Sequence, residues 1–250
     1  MNSLKKPAIF TLAVMPIVII ATVLTCLYQF DLYPPEIMEE AIAQVGSRWL
    51  VIVISVVQSV GMVAFCAFVG YLLADKMGLI RPWRLEKRVF WLAVCISVIT
   101  GIVFSLDYWT FGTYEPYIRD SVFVGMTPQG ILSAVLYGGI VEEIMMRLFF
   151  LTLIAWLLKK TLFRKREART TTVLVLANLI AALAFAAGHL PVTSVTFGAL
   201  TPLLLLRCFL LNGGFGFVFG HLYYKHGLLY AMIGHALTHL VARLIWVIFI

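Results

Sequence analysis
Seven apolar stretches limit how this chain can fold. They lie at about residues 7–30, 49–74, 90–106, 128–158, 172–190, 202–224 and 228–250. Crossing a hydrocarbon core of about 30 Å takes roughly 20 apolar residues of helix, and each stretch is within reach of that length. Only 12% of the 250 residues are charged and 62% are hydrophobic, whereas a soluble domain carries about 25% charged residues. An all-α, polytopic membrane bundle of about seven helices is therefore predicted, and an ordinary soluble domain is excluded. The length suits a single membrane domain over residues 1–250, with no appended soluble unit. Lys5 and Lys6 ahead of the first run imitate a signal peptide. That run is too long for a signal core and lacks an A-x-A site, so it is predicted as a retained helix.

Orientation follows from the basic residues. Fourteen of the 19 lysines and arginines lie in residues 1–6, 75–89, 159–171 and 225–227, against two in 31–48, 107–127 and 191–201. Loops rich in Lys and Arg stay in the cytoplasm, so the N-terminus is predicted cytoplasmic and the C-terminus outside. The formal charge of +7 thus reflects loop placement, and no nucleic-acid partner is implied. Cys26, Cys66, Cys95 and Cys208 are scattered singly. They suggest neither a zinc ribbon nor a disulfide framework, only small apolar side chains.

Local signals add detail. "YPPEIMEEAIAQVGSRW", from Tyr33, carries apolar positions at helical spacing after Pro34 and Pro35, which predicts a short interfacial helix. In "TPQG", Thr127 is placed to cap a helix and Pro128 to occupy its first position. From there to Leu158 an α-helix would run roughly 46 Å, so it must tilt or protrude. Gly213, Gly214, Gly216 and Gly220 predict close helix packing.

Setting the loop charges aside leaves Glu142, Glu143, Arg147, His189, Arg207, His221, His235, His239 and Arg243 inside apolar stretches. Such groups cost several kcal/mol unless they are paired or face a wet cavity. In "VEEIMMRLFF", Glu143 precedes Arg147 by four residues, the favourable order for a helical ion pair. Glu142 then has no partner on its own helix and is a candidate general base. "AFAAGHLP" puts Phe185 and His189 on one face just before Pro191, and "IGHALTHLVAR" strings His235, His239 and Arg243 at spacings of four. Histidines four apart can share a metal ion, as in H-E-x-x-H helices, although here Ala236 stands where that motif has Glu. Two carboxylates and three histidines on three apolar helices point to one polar site.

These motifs, E-E-x-x-x-R at 142–147, F-x-x-x-H at 185–189 and a histidine on the last helix, resemble the CAAX protease and bacteriocin-processing family. Its members, also called Abi or type II CAAX prenyl proteases, are intramembrane endopeptidases. "FGFVFGHLYYKHGLLYAMIGHAL" is similar to the family's approach to its third motif, and the resemblance covers about residues 127–245. Residues 1–106, with three helices, are unspecific. The resemblance implies that Glu142, helped by His189, activates water against a peptide carbonyl. It also implies that His235 and the residue four further on stabilise the oxyanion. The family usually has Asn at that further position, and this chain has His239. A histidine N–H can serve as donor, yet the change also allows Glu142, His189, His235 and His239 to bind a divalent metal such as zinc. The expected partners are the lipid bilayer and a peptide or membrane-protein substrate, in a bacterial plasma membrane. Two rival expectations are an inactive family member acting as a membrane partner or immunity protein, and a proton- or ion-coupled transporter. The depths also conflict: from the basic flanks His189 lies about 18 residues into its stretch and His235 about eight.

Overall fold
A computed structural model describes residues 4–163 and 170–250. The basic residues between 164 and 169, which weigh in the orientation count, lie outside the described residues. Every described element is helical. In chain order these are α1 (Lys5–Leu32), α2 (Pro35–Val45), α3 (Arg48–Lys76), α4 (Lys87–Ser105) and α5 (Pro116–Gly125). There follow α6 (residues 128–160), α7 (Thr170–Gly188), α8 (Leu190–Phe197), α9 (Pro202–His226) and α10 (Leu228–Phe249).

Among the described residues, six helical spans are long and apolar enough to cross a membrane: α1, α3, α4 with its extension to Tyr114, α7 joined to α8, α9 and α10. The seventh expected span, α6, is not among them; Glu142, Glu143 and Arg147 put three charges in its middle. The segment between α4 and α6, expected as loop, contains the ten-residue α5. Pro116 occupies its first turn, where a missing N–H costs nothing. The interfacial helix is present as α2, closed by Gly46 at φ 104°. Thr127 caps α6 as expected, its hydroxyl accepting from Gly130 N at 3.3 Å.

Much of α6 is wound as π-helix, over Ala134–Glu142 and again over Ile144–Leu151. The i→i+5 pattern is rare and concentrates at functional sites. It also advances less per residue than α-helix, so α6 is shorter than the α-helical expectation.

Helix α6 packs against α3 and α10, α10 against α4, and α7 against α9. The shared core includes Val63, Val141, Ile144, Leu148, Ala177, Phe219 and Ala231. Outward faces are apolar, with Leu12, Val57 and Ile99 all exposed, as lipid contact requires. Small residues set the closest approaches. A Cβ on Gly139 would stand 2.7 Å from the Ala236 Cβ, and one on Gly101 2.6 Å from the Val241 Cβ. The tight α9–α10 turn rests on Gly227, at φ 107°, a conformation that side chains with a Cβ rarely adopt.

His189 and His235, whose expected depths differed, both flank the Phe185 ring, with centroids 4.6 and 6.2 Å away.

Candidate active site
Three helices bring the polar groups together, and the local sequence explains each placement. Helix α7 stops at Gly188 because Pro191 cannot donate a helical hydrogen bond and crowds the preceding turn. His189 N then bonds Ala186 O at 3.0 Å and its carbonyl accepts from Thr193 N at 3.0 Å. Helix α10 is pinned to α4 by Thr238, whose hydroxyl meets that of Thr100 at 2.7 Å, and by Ser97, which donates to Gly234 O at 3.1 Å. Those bonds set the rotation of α10 and so the directions of His235 and His239.

Glu143 is the buried, paired carboxylate. Its side chain is fully buried and its Oε1 lies 3.2 Å from Arg147 Nη2, the ion pair expected from spacing. The same oxygen accepts from His235 Nδ1 at 2.8 Å, a partner the sequence did not suggest. Arg147 lies in turn over the Phe185 ring, 4.8 Å from its centroid. The Phe185 ring also sits edge-on to His189 and to His235, with centroids 4.6 and 6.2 Å away. Phe185 is thus the apolar hub between the two halves of the site.

Glu142 differs. Its side chain is 18% exposed, and its Oε1 lies 3.9 Å from His189 Nε2. That is too long for a hydrogen bond and suits a single water touching both atoms. His189 Nδ1 is 2.8 Å from Phe185 O. A carbonyl can only accept, so Nδ1 carries the hydrogen and Nε2 of the neutral ring is a lone-pair acceptor. Glu142 and His189 therefore present two acceptors to one point, which would orient the two hydrogens of a water and leave its oxygen lone pairs directed outward.

His235 and His239 stack, with centroids 5.0 Å apart. Both rings turn Nε2 toward Gly138. A Cβ placed there would lie 3.1 Å from His239 Nε2 and 3.6 Å from His235 Nε2. The missing side chain leaves a notch beneath two ring nitrogens, four residues before Glu142 on the same helix. Phe104 covers the His239 ring, 5.5 Å away, and Phe219 stacks on His235 at 4.7 Å.

The remaining intramembrane charges stand apart from this cluster or behind it. Arg207 makes a forked pair with buried Asp107, with Nε 2.8 Å from Oδ1 and Nη2 2.5 Å from Oδ2. His221 Nδ1 pairs with the Tyr224 hydroxyl at 2.7 Å. Arg243, noticed in the sequence as part of a stripe but not as a site residue, lies directly behind His239. Its Nη1 is 3.3 Å from His239 Nδ1. The spacing of four was the available signal, and only the fold gives it meaning.

Among the described residues no three His, Cys, Asp or Glu side chains are placed to hold a metal ion. Glu142, His189, His235 and His239, the expected ligands, are not gathered into such a group, and each ring uses Nδ1 for another partner and keeps Nε2 as its remaining nitrogen. His239 moreover has a guanidinium at hydrogen-bond distance, a poor setting for a second cation.

Residues 124–241 match the family model described as Type II CAAX prenyl endopeptidase Rce1-like. The match spans the whole site, from before the Thr127 cap to just past His239. No curated protein and no solved structure matches the chain.

Proposed function
We propose that this chain is a membrane protease of the Rce1-like type II CAAX prenyl endopeptidase kind, whose family model residues 124–241 match, and that Glu142 and His189 activate its hydrolytic water. The observation that carries this reading is the 3.9 Å gap between Glu142 Oε1 and His189 Nε2, two acceptors aimed at one water. The water oxygen attacks the carbonyl carbon of a peptide bond while Glu142 takes its proton. The developing oxyanion sits in the notch over Gly138, against Nε2 of His239, the ring whose Nδ1 faces a guanidinium and whose Nε2 is therefore the donor. Donors fixed on helices stabilise such charge without reorganising during the step. As the tetrahedral intermediate collapses, the proton held by Glu142 passes to the leaving nitrogen, giving an amine and a carboxylic acid that then loses its proton to solvent. Glu143 and Arg147 serve as the frame: together they hold His235 and position the Phe185 ring.

The substrate is a peptide segment held at the membrane. A farnesylated CAAX peptide is the first probe, followed by comparison of the membrane and secreted peptides of cells carrying intact or altered protein. Glu142→Gln keeps the shape of the side chain and removes the base. Purified in lipid nanodiscs, it should fold normally and lose about 10²–10⁴-fold in cleavage. Near-normal cleavage by this variant would refute the assignment.

A further inference from the structure
His235 and His239 present the same ring atom to the notch, but their hydrogens are not equivalent. His235 Nδ1 faces a carboxylate oxygen of Glu143 at 2.8 Å. A carboxylate accepts, so the hydrogen of a neutral His235 is on Nδ1 and its Nε2 is bare. His239 Nδ1 faces Arg243 Nη1 at 3.3 Å. A guanidinium has donors only, so His239 Nδ1 is the bare atom and the hydrogen is on Nε2. Two histidines one turn apart are thus set to opposite tautomers by partners of opposite charge.

We infer that Arg243 is a positioning residue that locks His239 as the Nε2–H tautomer, making a neutral histidine the oxyanion donor at the position where the family usually has Asn. Arg243 itself is held rigidly. Its Nε donates to Gly125 O at 2.9 Å, Nη2 to Gly130 O at 3.4 Å and Nη1 also to His239 O at 3.3 Å. Both glycine carbonyls belong to the α5–α6 junction, so the guanidinium is fixed by a part of the chain more than a hundred residues away. An asparagine needs no such device, because its amide nitrogen always carries hydrogens. A histidine does, because a ring with the hydrogen on Nδ1 would turn a lone pair toward the oxyanion and repel it. His239 and Arg243 thus form a pair in which the arginine supplies what the imidazole alone leaves undetermined.

This inference rests on the endopeptidase reading for its consequence, but its first test does not. Nitrogen NMR of ¹⁵N-histidine-labelled protein in bilayers, with the His239 signals assigned by their loss in His239→Asn, reports the tautomer directly. The expected result is a neutral ring protonated on Nε2. A ring protonated on Nδ1, or on both nitrogens, overturns the proposal whether or not any substrate is cleaved.

The second test is a cycle. With His239 present, Arg243→Met should lower kcat by about tenfold or more, approaching the 10²–10³-fold that loss of a whole oxyanion donor costs, with KM little changed. His239→Asn sets its own lowered baseline, and against it Arg243→Met should cost less than about threefold further. A purely structural arginine would cost the same in both backgrounds, and that outcome also overturns the lock. Should Arg243→Met fail to fold, Arg243→Gln completes the cycle, since its amide offers an acceptor as well as a donor and no longer dictates the His239 tautomer. Loss of cleavage on Glu142→Gln tests the endopeptidase reading separately.

Discussion

Glu142 and Glu143 are chemically identical neighbours, and their surroundings give them different work. Glu143 is sealed among Arg147, His235 and the core, whereas Glu142 reaches a partly open gap beside His189. Glu143→Gln should therefore strand the Arg147 guanidinium as a buried, unpaired cation. Breaking a pair of this kind costs about 3–5 kcal/mol, so thermal unfolding of the purified variant should shift strongly downward, unlike that of Glu142→Gln. Gly138 and Gly139 divide in the same way. A methyl at Gly138 would enter the notch, 3.1 Å from His239 Nε2. Gly138→Ala should fold and lose activity. A methyl at Gly139 would meet Ala236 Cβ at 2.7 Å and its Cα at 3.0 Å, where no flexible side chain can yield. Gly139→Ala should force α6 and α10 apart at a cost of about 1–3 kcal/mol, visible as a lower melting temperature.

Among the elements, α6 carries both carboxylates of the cluster, and α7 and α10 bring the histidines to it. Its π-helical winding over 134–142 and 144–151 places Gly138, Glu142 and Glu143 together at the interface with α7 and α10. Thr152 Oγ1 donates to Arg147 O at 3.1 Å and meets the Tyr223 hydroxyl at 2.7 Å, which ties the end of the wide winding to α9. At the opposite end of the bundle, Asp107 after α4 clamps Arg207 of α9 with both carboxylate oxygens. Asp107 is 2% exposed and the Arg207 side chain 16%, so the pair is shielded from water. Asp107→Asn should destabilise the protein by roughly 3–5 kcal/mol, whereas Asp107→Leu combined with Arg207→Met should recover most of the loss, as apolar replacements of buried pairs often do. Thermal unfolding of the three proteins in one detergent decides the matter.

At the scale of the whole molecule, the polar site lies inside a jacket of apolar helix faces, and turns of opposite charge character cap the two ends. The loop around Arg81, Arg84 and Lys87 lies at the same end as the α9–α10 turn, where the Tyr230 hydroxyl donates to Arg84 O at 3.1 Å, while Tyr114 closes the far end of the span that starts at Lys87. If the basic end faces the cytoplasm, a cysteine placed at Tyr114, which is exposed, should react with an impermeant maleimide added to intact cells. A cysteine at Arg84 should react only after the membrane is opened. Cys95, the exposed native cysteine, would first be changed to Ala. Labelling of both sites from outside would sink the orientation.

Hydropathy and spacing by themselves determined the class of this protein and much of its site. Long apolar runs can only be membrane helices. The spacing of four between Glu143 and Arg147 makes an ion pair on one helix, and Thr127 before Pro128 makes a helix start; all three rest on interactions local in the chain. The order of the motifs pointed to Glu142, His189, His235 and His239 as one set. Helix α5 was missed because Arg119 and Asp120 dilute a short amphipathic segment into apparent loop. The π-helical winding of α6 was also out of reach, since it is a choice of backbone hydrogen-bond register that side-chain spacing does not record. Tertiary structure decided how the charges divide. Glu143 meets His235 across 92 residues, and Arg243 reaches carbonyls 118 and 113 residues away. Such contacts depend on how each helix is rotated and which way its side chains lean. Close packing at Gly101, Gly139 and Gly220 fixes both, and no local pattern in the chain encodes them.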